Sequence, residues 1–241
     1  MPRDAPGQTT IFDEPFDDDS QFDVTKGSLG GGSSSYFKIT DGSDIDESYN
    51  GTTGKFLAGS DTDGDGDGTS DPQITWTGID VSGEGGLQFT GSFGGDGSRY
   101  ENSDFVRVEY RVDGGAWQNL IAFRGDPNDH LAEDTDFDGT GDGATIDDGS
   151  VSSFSKDIGG LADSLGLRLT AEMTAQTESF AVEDFKIKST TAVQFTADSG
   201  TVSEREGSTS LAVEILNPDG NEVDVDVVFS TGNSSADLGG Q

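Results

Sequence analysis

Cysteine is absent from the 241 residues. No disulfide framework, zinc–thiolate site or cysteine nucleophile can therefore form. Positive charge is scarce: 13 Lys and Arg stand against 47 Asp and Glu, for a formal net charge of −34. A field of that sign repels nucleic-acid phosphates and anionic membranes, so no nucleic-acid partner is expected. Histidine occurs once, as His130, and a Gly-x-Ser-x-Gly elbow, a His-Glu-x-x-His helix and a P-loop are all missing. The chain reads as a non-enzyme. No apolar run approaches the ~18 residues of a membrane helix, so membrane insertion is not expected. The opening Met-Pro-Arg-Asp-Ala-Pro-Gly has no apolar signal-peptide core, and residues 1–8 read as a disordered terminus. The expectation is one stretch of a longer multidomain chain. Helical periodicity is nearly absent too, apart from a turn near 161–165.

Strand patterning is abundant. Phe-Val-Arg-Val-Glu-Tyr-Arg-Val at 105–112 puts Val106, Val108, Tyr110 and Val112 on one face and Arg107, Glu109 and Arg111 on the other. This period of two marks a half-buried strand. Asp113-Gly-Gly follows as a turn, and 117–123 returns as a hairpin partner. Leu87, Phe89 and Phe93 alternate with polar residues, as do Leu165, Leu167, Leu169, Ala171 and Met173. Shorter strands are expected at 9–13, 36–40, 54–58, 73–77, 151–157 and 179–188. Such strands joined by Gly/Asp/Ser loops predict an all-β, jelly-roll β-sandwich over 9–189. In 179–188 the parity slips: Phe180 and Val182 share one phase, Phe185 and Ile187 the other. A β-bulge at Glu183-Asp184 would cause this slip. Residues 190–241 read as a second, smaller β unit.

Two Asp/Gly series stand in the loops: Asp-Thr-Asp-Gly-Asp-Gly-Asp-Gly at 61–68 and Asp-Thr-Asp-Phe-Asp-Gly-Thr-Gly-Asp-Gly at 134–143. Ca²⁺ takes six to eight oxygens, and an EF-type loop supplies them from positions 1, 3, 5, 7 and 9 with Gly at 6. Asp134, Asp136 and Asp138 fill positions 1, 3 and 5; Gly139 is at 6, the Thr140 carbonyl at 7 and Asp142 at 9. Asp61, Asp63, Asp65 and Gly66 match in the other series, with Asp67 beside them. Thr145 and Pro72 stand where an EF-type loop has its bidentate Glu, so Asp147 or Asp148, and Asp71, are the candidates to close the two shells. Ca²⁺ is the expected cofactor. A third cation site is conceivable where the bulge turns Asp184 toward the N-terminal Asp13-Glu14. The alternative is that these are solvated acidic loops of a halophilic protein, whose carboxylates keep its surface hydrated. Weak calcium sites fill at millimolar extracellular calcium, which favours an extracellular or cell-surface location.

Sequence resemblance adds to this reading. Ala-Val-Gln-Phe at 192–195, Thr-Val-Ser-Glu-Arg-Glu-Gly at 201–207, Leu-Ala-Val-Glu-Ile-Leu-Asn-Pro at 211–218 and the run at 225–237 resemble a Calx-beta domain. The match spans about half of that immunoglobulin-like sandwich. Ile-Phe-Asp-Glu-Pro-Phe-Asp at 11–17, Phe-Leu-Ala-Gly-Ser-Asp-Thr-Asp-Gly at 56–64, the runs at 37–45, 78–81, 104–115 and 134–143, and Phe-Ala-Val-Glu-Asp-Phe-Lys-Ile at 180–187 resemble a jelly-roll module of large secreted or surface bacterial proteins. The resemblance implies an accessory, non-catalytic unit, serving structure or adhesion. The competing expectation is a carbohydrate-binding accessory module of a secreted hydrolase or nuclease. Its aromatic candidates are Trp76, Trp117, Tyr36, Tyr49 and Tyr100, with Trp117 placed in an apparent core strand. A glycan or a surface protein is the expected partner beside calcium.

Overall fold

The computed structural model describes residues 8–64, 69–159 and 162–190, and the backbone of two further strands at 192–195 and 213–216. In chain order the strands are β1 Gln8–Glu14, β2 Asp23–Lys26, β3 Gly30–Gly31, β4 Tyr36–Thr40, β5 Phe56–Ser60, β6 Gln73–Asp80, β7 Gln88–Gly95, β8 Phe105–Val112, β9 Gln118–Gly125, β10 Leu131–Glu133, β11 Ser152–Asp157, β12 Ser164–Glu172, β13 Ser179–Thr190, β14 Ala192–Phe195 and β15 Val213–Leu216. The only helical segment among the described residues is one 3₁₀ turn, Thr62–Gly64. No described helix is long and apolar enough to cross a membrane.

Two antiparallel sheets make a β-sandwich. One runs β11-β7-β13-β5-β4-β3, with β1 also paired to β13; the other runs β10-β9-β8-β12-β6-β2. The expected strands are present, with β5 starting two residues later than the pattern suggested. Three strands escaped the pattern: β2 and β3 lack buried apolar alternation, and β10 is only three residues long. The expected turn near 161–165 is overtaken at Ser164, where β12 begins. In the smaller β unit, β14 pairs antiparallel with β15; the rest of the Calx-beta expectation at 190–241 lies outside the described residues.

β13 organises the first sheet. Its residues 179–182 pair with β5, and its residues 185–190 pair with β1, while β7 accompanies both halves. The register slips between Glu183 and Lys186, and Asp184 takes φ 64°. The expected bulge is therefore real. It restores the phase, so that Phe180, Val182, Phe185 and Ile187 all enter one core. Without it, a period of two would turn Phe185 and Ile187 to the opposite face.

The core is aromatic. The Phe185 ring lies 5.1 Å from Phe16, 5.1 Å from Phe89, 5.5 Å from Phe93 and 5.7 Å from Trp76 between centroids. Trp76 also packs on Phe22 at 5.6 Å, and its indole N–H donates to Glu14 Oε2 at 3.0 Å. A second, smaller cluster of Tyr36, Phe56, Ala58 and Ala181 lies apart from this core, packed against Ile45 and Tyr49 from the 41–55 loop. Burying a large apolar side chain stabilises by about 1.5–3 kcal/mol. Phe185→Ala also leaves a cavity among four rings, so it should cost about 3–5 kcal/mol. The readout is a lower urea midpoint at unchanged slope; a loss under about 1 kcal/mol would contradict this placement.

Candidate functional site

The second Asp series folds as a closed loop after β10. Asp134 is 2% exposed, and its two carboxylate oxygens accept from the Asp138 N–H at 3.1 Å and the Gly139 N–H at 3.0 Å. Asp136 Oδ1 accepts from the same Asp138 N–H at 3.2 Å, and Asp138 Oδ1 accepts from the Thr140 N–H at 3.0 Å. Phe137 and Gly139 sit at φ 60° and 98°, the left-handed conformations that coil the chain so tightly. As a result Asp134, Asp136 and Asp138 each present an oxygen within 4.8 Å of the others. Arg124 Nε lies 3.9 Å from Asp134 on the side of β9.

Asp142 has a different task. Its Oδ1 accepts from the Thr135 N–H at 2.9 Å and the Thr135 hydroxyl at 2.8 Å, and these bonds hold its carboxyl below the usual range. Asp142 thereby clasps the loop's two limbs and does not join the three converging carboxylates. The candidates for closing the shell are engaged elsewhere: Asp147 with His130 at 2.7 Å, Asp148 with the Ser150 N–H at 3.0 Å.

Only the start of the first series is described. Asp61 takes φ 42° and accepts from the Ser35 hydroxyl at 2.5 Å, and Asp63 lies in the 3₁₀ turn. Asp65 and Asp67 lie outside the described residues. Thr62 ties the turn to β12: its N–H donates to the Met173 carbonyl at 2.8 Å. Asp71, the candidate closing ligand, pairs with Lys26. Glu14 and Asp184 are not brought together as a third cation site. Glu14 is 1% exposed and accepts from Trp76 and from the Phe16 N–H at 2.8 Å, while Asp184 is half-exposed and pairs with Lys186 at 2.5 Å. The bulge turns Asp184 outward, whereas Glu14 faces the core from β1.

A carboxylate cluster that the sequence pattern did not reveal joins Glu101 and Asp104, before β8, with Glu178, before β13. Asp104 and Glu178 are 0% and 2% exposed. Both accept from the Thr174 N–H, at 3.0 and 3.2 Å, and Asp104 also takes the Glu101 N–H at 2.6 Å. Gly125 makes this possible, because a Cβ there would stand 2.2 Å from the Glu101 carbonyl. Burial first, then the negative charges of Asp104 and Glu101, push Glu178 up to about 8. Burial likewise raises Asp104. Glu172 is raised by burial and by Asp71, Asp104 and Asp63, so this cluster and the first Asp series crowd one end of the sandwich.

The outward face of the second sheet has the opposite character. Arg107, Arg111 and Arg168 project there with Glu109, and Arg124 continues the row on β9. Arg168 donates from Nε and Nη2 to Glu109 Oε2 at 2.9 and 2.7 Å. The Arg111 and Arg168 guanidinium carbons lie 4.6 and 4.4 Å from the Trp117 ring centre, and that of Arg124 lies 4.7 Å from Phe105. Trp117, expected in a core strand, is instead half-buried ahead of β9. The register slip that pairs Val108 with Ile121 and Glu109 with Asn119 leaves Leu120 as an extra residue and changes the strand's phase. Of the other aromatic candidates, Trp76, Tyr36 and Tyr100 are buried, and Tyr49 is half-buried with its hydroxyl on Ser179 at 2.6 Å.

No protein-family model and no curated protein matches the chain. Solved structures of similar shape include the CBM22-1 xylan-binding domain of Paenibacillus barcinonensis Xyn10C, at 13% identity and TM-score 0.40, covering 78% of this chain and 99% of that one. Another is the K1 cleaved adhesin domain of Lys-gingipain from Porphyromonas gingivalis W83, at 14% identity and TM-score 0.46, covering 75% and 98%. A third is the family 11 carbohydrate-binding module of Clostridium thermocellum, solved with a mixed-linked tetrasaccharide, at 11% identity and TM-score 0.39, covering 76% and 96%.

The raised Glu178 has a pH signature. Its folded-state value lies above the ordinary 4.5, so its protonated form stabilises the fold at acid pH, and that stability is lost as pH rises toward about 8. Glu178→Gln should match the parent near pH 5 and exceed it above pH 8. Melting temperatures of both proteins across this range, in EDTA, check the expectation; parallel curves would contradict it.

Proposed function

We propose that this chain is a non-catalytic calcium-binding module of a secreted or cell-surface multidomain protein, serving structure or adhesion. The observation that supports it is the convergence of Asp134, Asp136 and Asp138 within 4.8 Å on a loop already shaped by its own N–H groups. Two like charges ~4 Å apart repel by about 1 kcal/mol in water and about 4 kcal/mol near a protein surface. A divalent cation turns that repulsion into a link between β10 and the residues that follow. With Asp142 clasping Thr135, the remaining oxygens would come from the Thr140 carbonyl and water. The first series, from Asp61 and Asp63 onward through Asp65 and Asp67, is the second candidate loop.

A ligand that binds only the folded state stabilises it by about 2.7 kcal/mol per site at 100-fold excess over Kd. For a sandwich of this size that is a rise in Tm of roughly 5–10 °C. Asp136→Ala, at an exposed position, should remove this rise in millimolar CaCl₂ and change Tm little in EDTA. The test is thermal unfolding at fixed ionic strength with MgCl₂ as control. An equal loss in both conditions would remove the ligand role. A rise equal in calcium, magnesium and matched salt would favour halophilic adaptation.

The second reading, a carbohydrate-binding accessory module, is the function named for two of the solved structures above. In this chain it rests on the side chains themselves. Half-buried arginines and Trp117 share one sheet face, which suits a polyhydroxylated ligand better than the buried Trp76, Tyr36 and Tyr100 do. Binding to none of a broad glycan panel would overturn it.

A further inference from the structure

We infer that the outward face of the six-stranded sheet binds an acidic polysaccharide, its carboxylates on Arg107, Arg168 and Arg111. This deepens the carbohydrate reading and rests on it, and it is independent of calcium.

The register lays the face out. Arg107 stands opposite Thr170, Arg168 stands between Glu109 and Thr75, and Arg111 stands opposite Gly166. Alternate residues of a strand are about 7 Å apart, so Arg107 and Arg111 are roughly 13 Å apart, with Arg168 one strand over between them. This is a spaced row of cations on a flat surface, not a pocket for one small anion. Gly166 permits it: a Cβ there would approach the Arg111 side chain to 3.2 Å, so the glycine gives that arginine room to lie across the sheet toward Trp117.

Structural pairing uses only part of this charge. Glu109 is 7% exposed and receives two hydrogen bonds from Arg168. Arg107 Nε lies 3.5 Å from the same carboxylate oxygen; that nitrogen is buried and has no hydrogen-bond partner, while the Arg107 side chain as a whole is 30% exposed. Among the described residues Arg111 makes no ion pair and is held by its contact with Trp117. With Arg124, four of the chain's 13 Lys and Arg lie on this one face. Guanidinium donates two parallel N–H groups to a carboxylate, a geometry that favours carboxylate over neutral sugar at these positions. The threonines between them are buried and bonded within the sheet, Thr75 to the Thr25 hydroxyl and Thr170 to the Gln73 amide, each at 3.0 Å, so the guanidinium groups supply the contacts. The exposed large apolar side chains among the described residues, Val24 and Phe137, are not part of this row. A protein interface would want an apolar centre here. The net charge of −34 opposes a polyanion at long range, but at physiological salt that field is screened beyond about 8 Å. The contacts at issue are at hydrogen-bond distance.

The test is calorimetric titration of the full chain with polygalacturonate, its fully methyl-esterified form and a single-stranded DNA oligonucleotide, at fixed ionic strength in EDTA. Polygalacturonate is expected to bind, with the ester weaker by at least about tenfold. Arg107→Gln with Arg111→Gln should weaken polygalacturonate by a similar factor at unchanged Tm. Should the double variant melt lower, Arg111→Gln alone gives the same readout, because its guanidinium makes no ion pair among the described residues. The inference is overturned if polygalacturonate does not bind, if the ester or the DNA binds equally, or if the double variant binds as the parent does. Binding seen only when the titration is repeated in CaCl₂, and unchanged in the double variant, would belong to the Asp series and would also overturn it. A calcium-dependent Tm in a chain that binds no glycan would leave only the calcium reading standing.

Discussion

The packing of Phe185 against Phe16, Trp76, Phe89 and Phe93 is the contact on which the sandwich depends, and a single extra residue puts it there. β13 must serve two partners in turn, β5 and then β1, while presenting apolar side chains to one core along its whole length. A regular strand of that length would do so only with an unbroken alternation, which this sequence lacks. The bulge at Glu183–Asp184 resets the phase where the partner changes. It also places Glu14 opposite Phe185, with its carboxylate on the Trp76 indole, so one buried acid is satisfied inside an otherwise apolar layer.

Outside the core, carboxylate charge sets the terms. At a net charge of −34 every loop must either hydrate its acids, pair them or share a cation among them. Among the described residues many acids are paired or hydrogen-bonded, and one loop turns three of them on one another. Asp184 and Asp71 take lysines, Asp142 and Asp126 take backbone and side-chain donors, and Asp134, Asp136 and Asp138 are left facing one another. The Glu101, Asp104 and Glu178 cluster shows a further solution: burial keeps a proton on Glu178 well into neutral pH. The positive charge is not scattered evenly against this background. Four of the 13 basic residues share one sheet face, where Arg168 meets Glu109 and where two further guanidinium groups exceed what that carboxylate requires. The molecule thus separates an acidic end from a cationic face.

Much of this was legible in the residues. Alternation located β8, β12 and β7, because a half-buried strand imposes a period of two on its own side chains. The slip at Glu183–Asp184 was visible for the same reason. The spacing of Asp134, Asp136 and Asp138 with Gly139 also sufficed to predict that three carboxylates would face one another, since a tight coil is a local property. Where local pattern misled, a neighbour was responsible. Trp117 looked like a core residue, but the extra residue at Leu120 changes the phase of β9.

By itself, then, the sequence determined an all-β chain, the phase of its main strands, the excess of acid and the shape of the second Asp loop. Each of these follows from residues only a few positions apart. Only the tertiary structure decided which sheet each strand joined, that Glu14 and Asp184 take separate partners, that Glu178 meets Asp104, and that four arginines share a face. Those outcomes depend on register between strands distant in the chain, and hydrogen-bonded register is set by how the whole core packs, which no local period records.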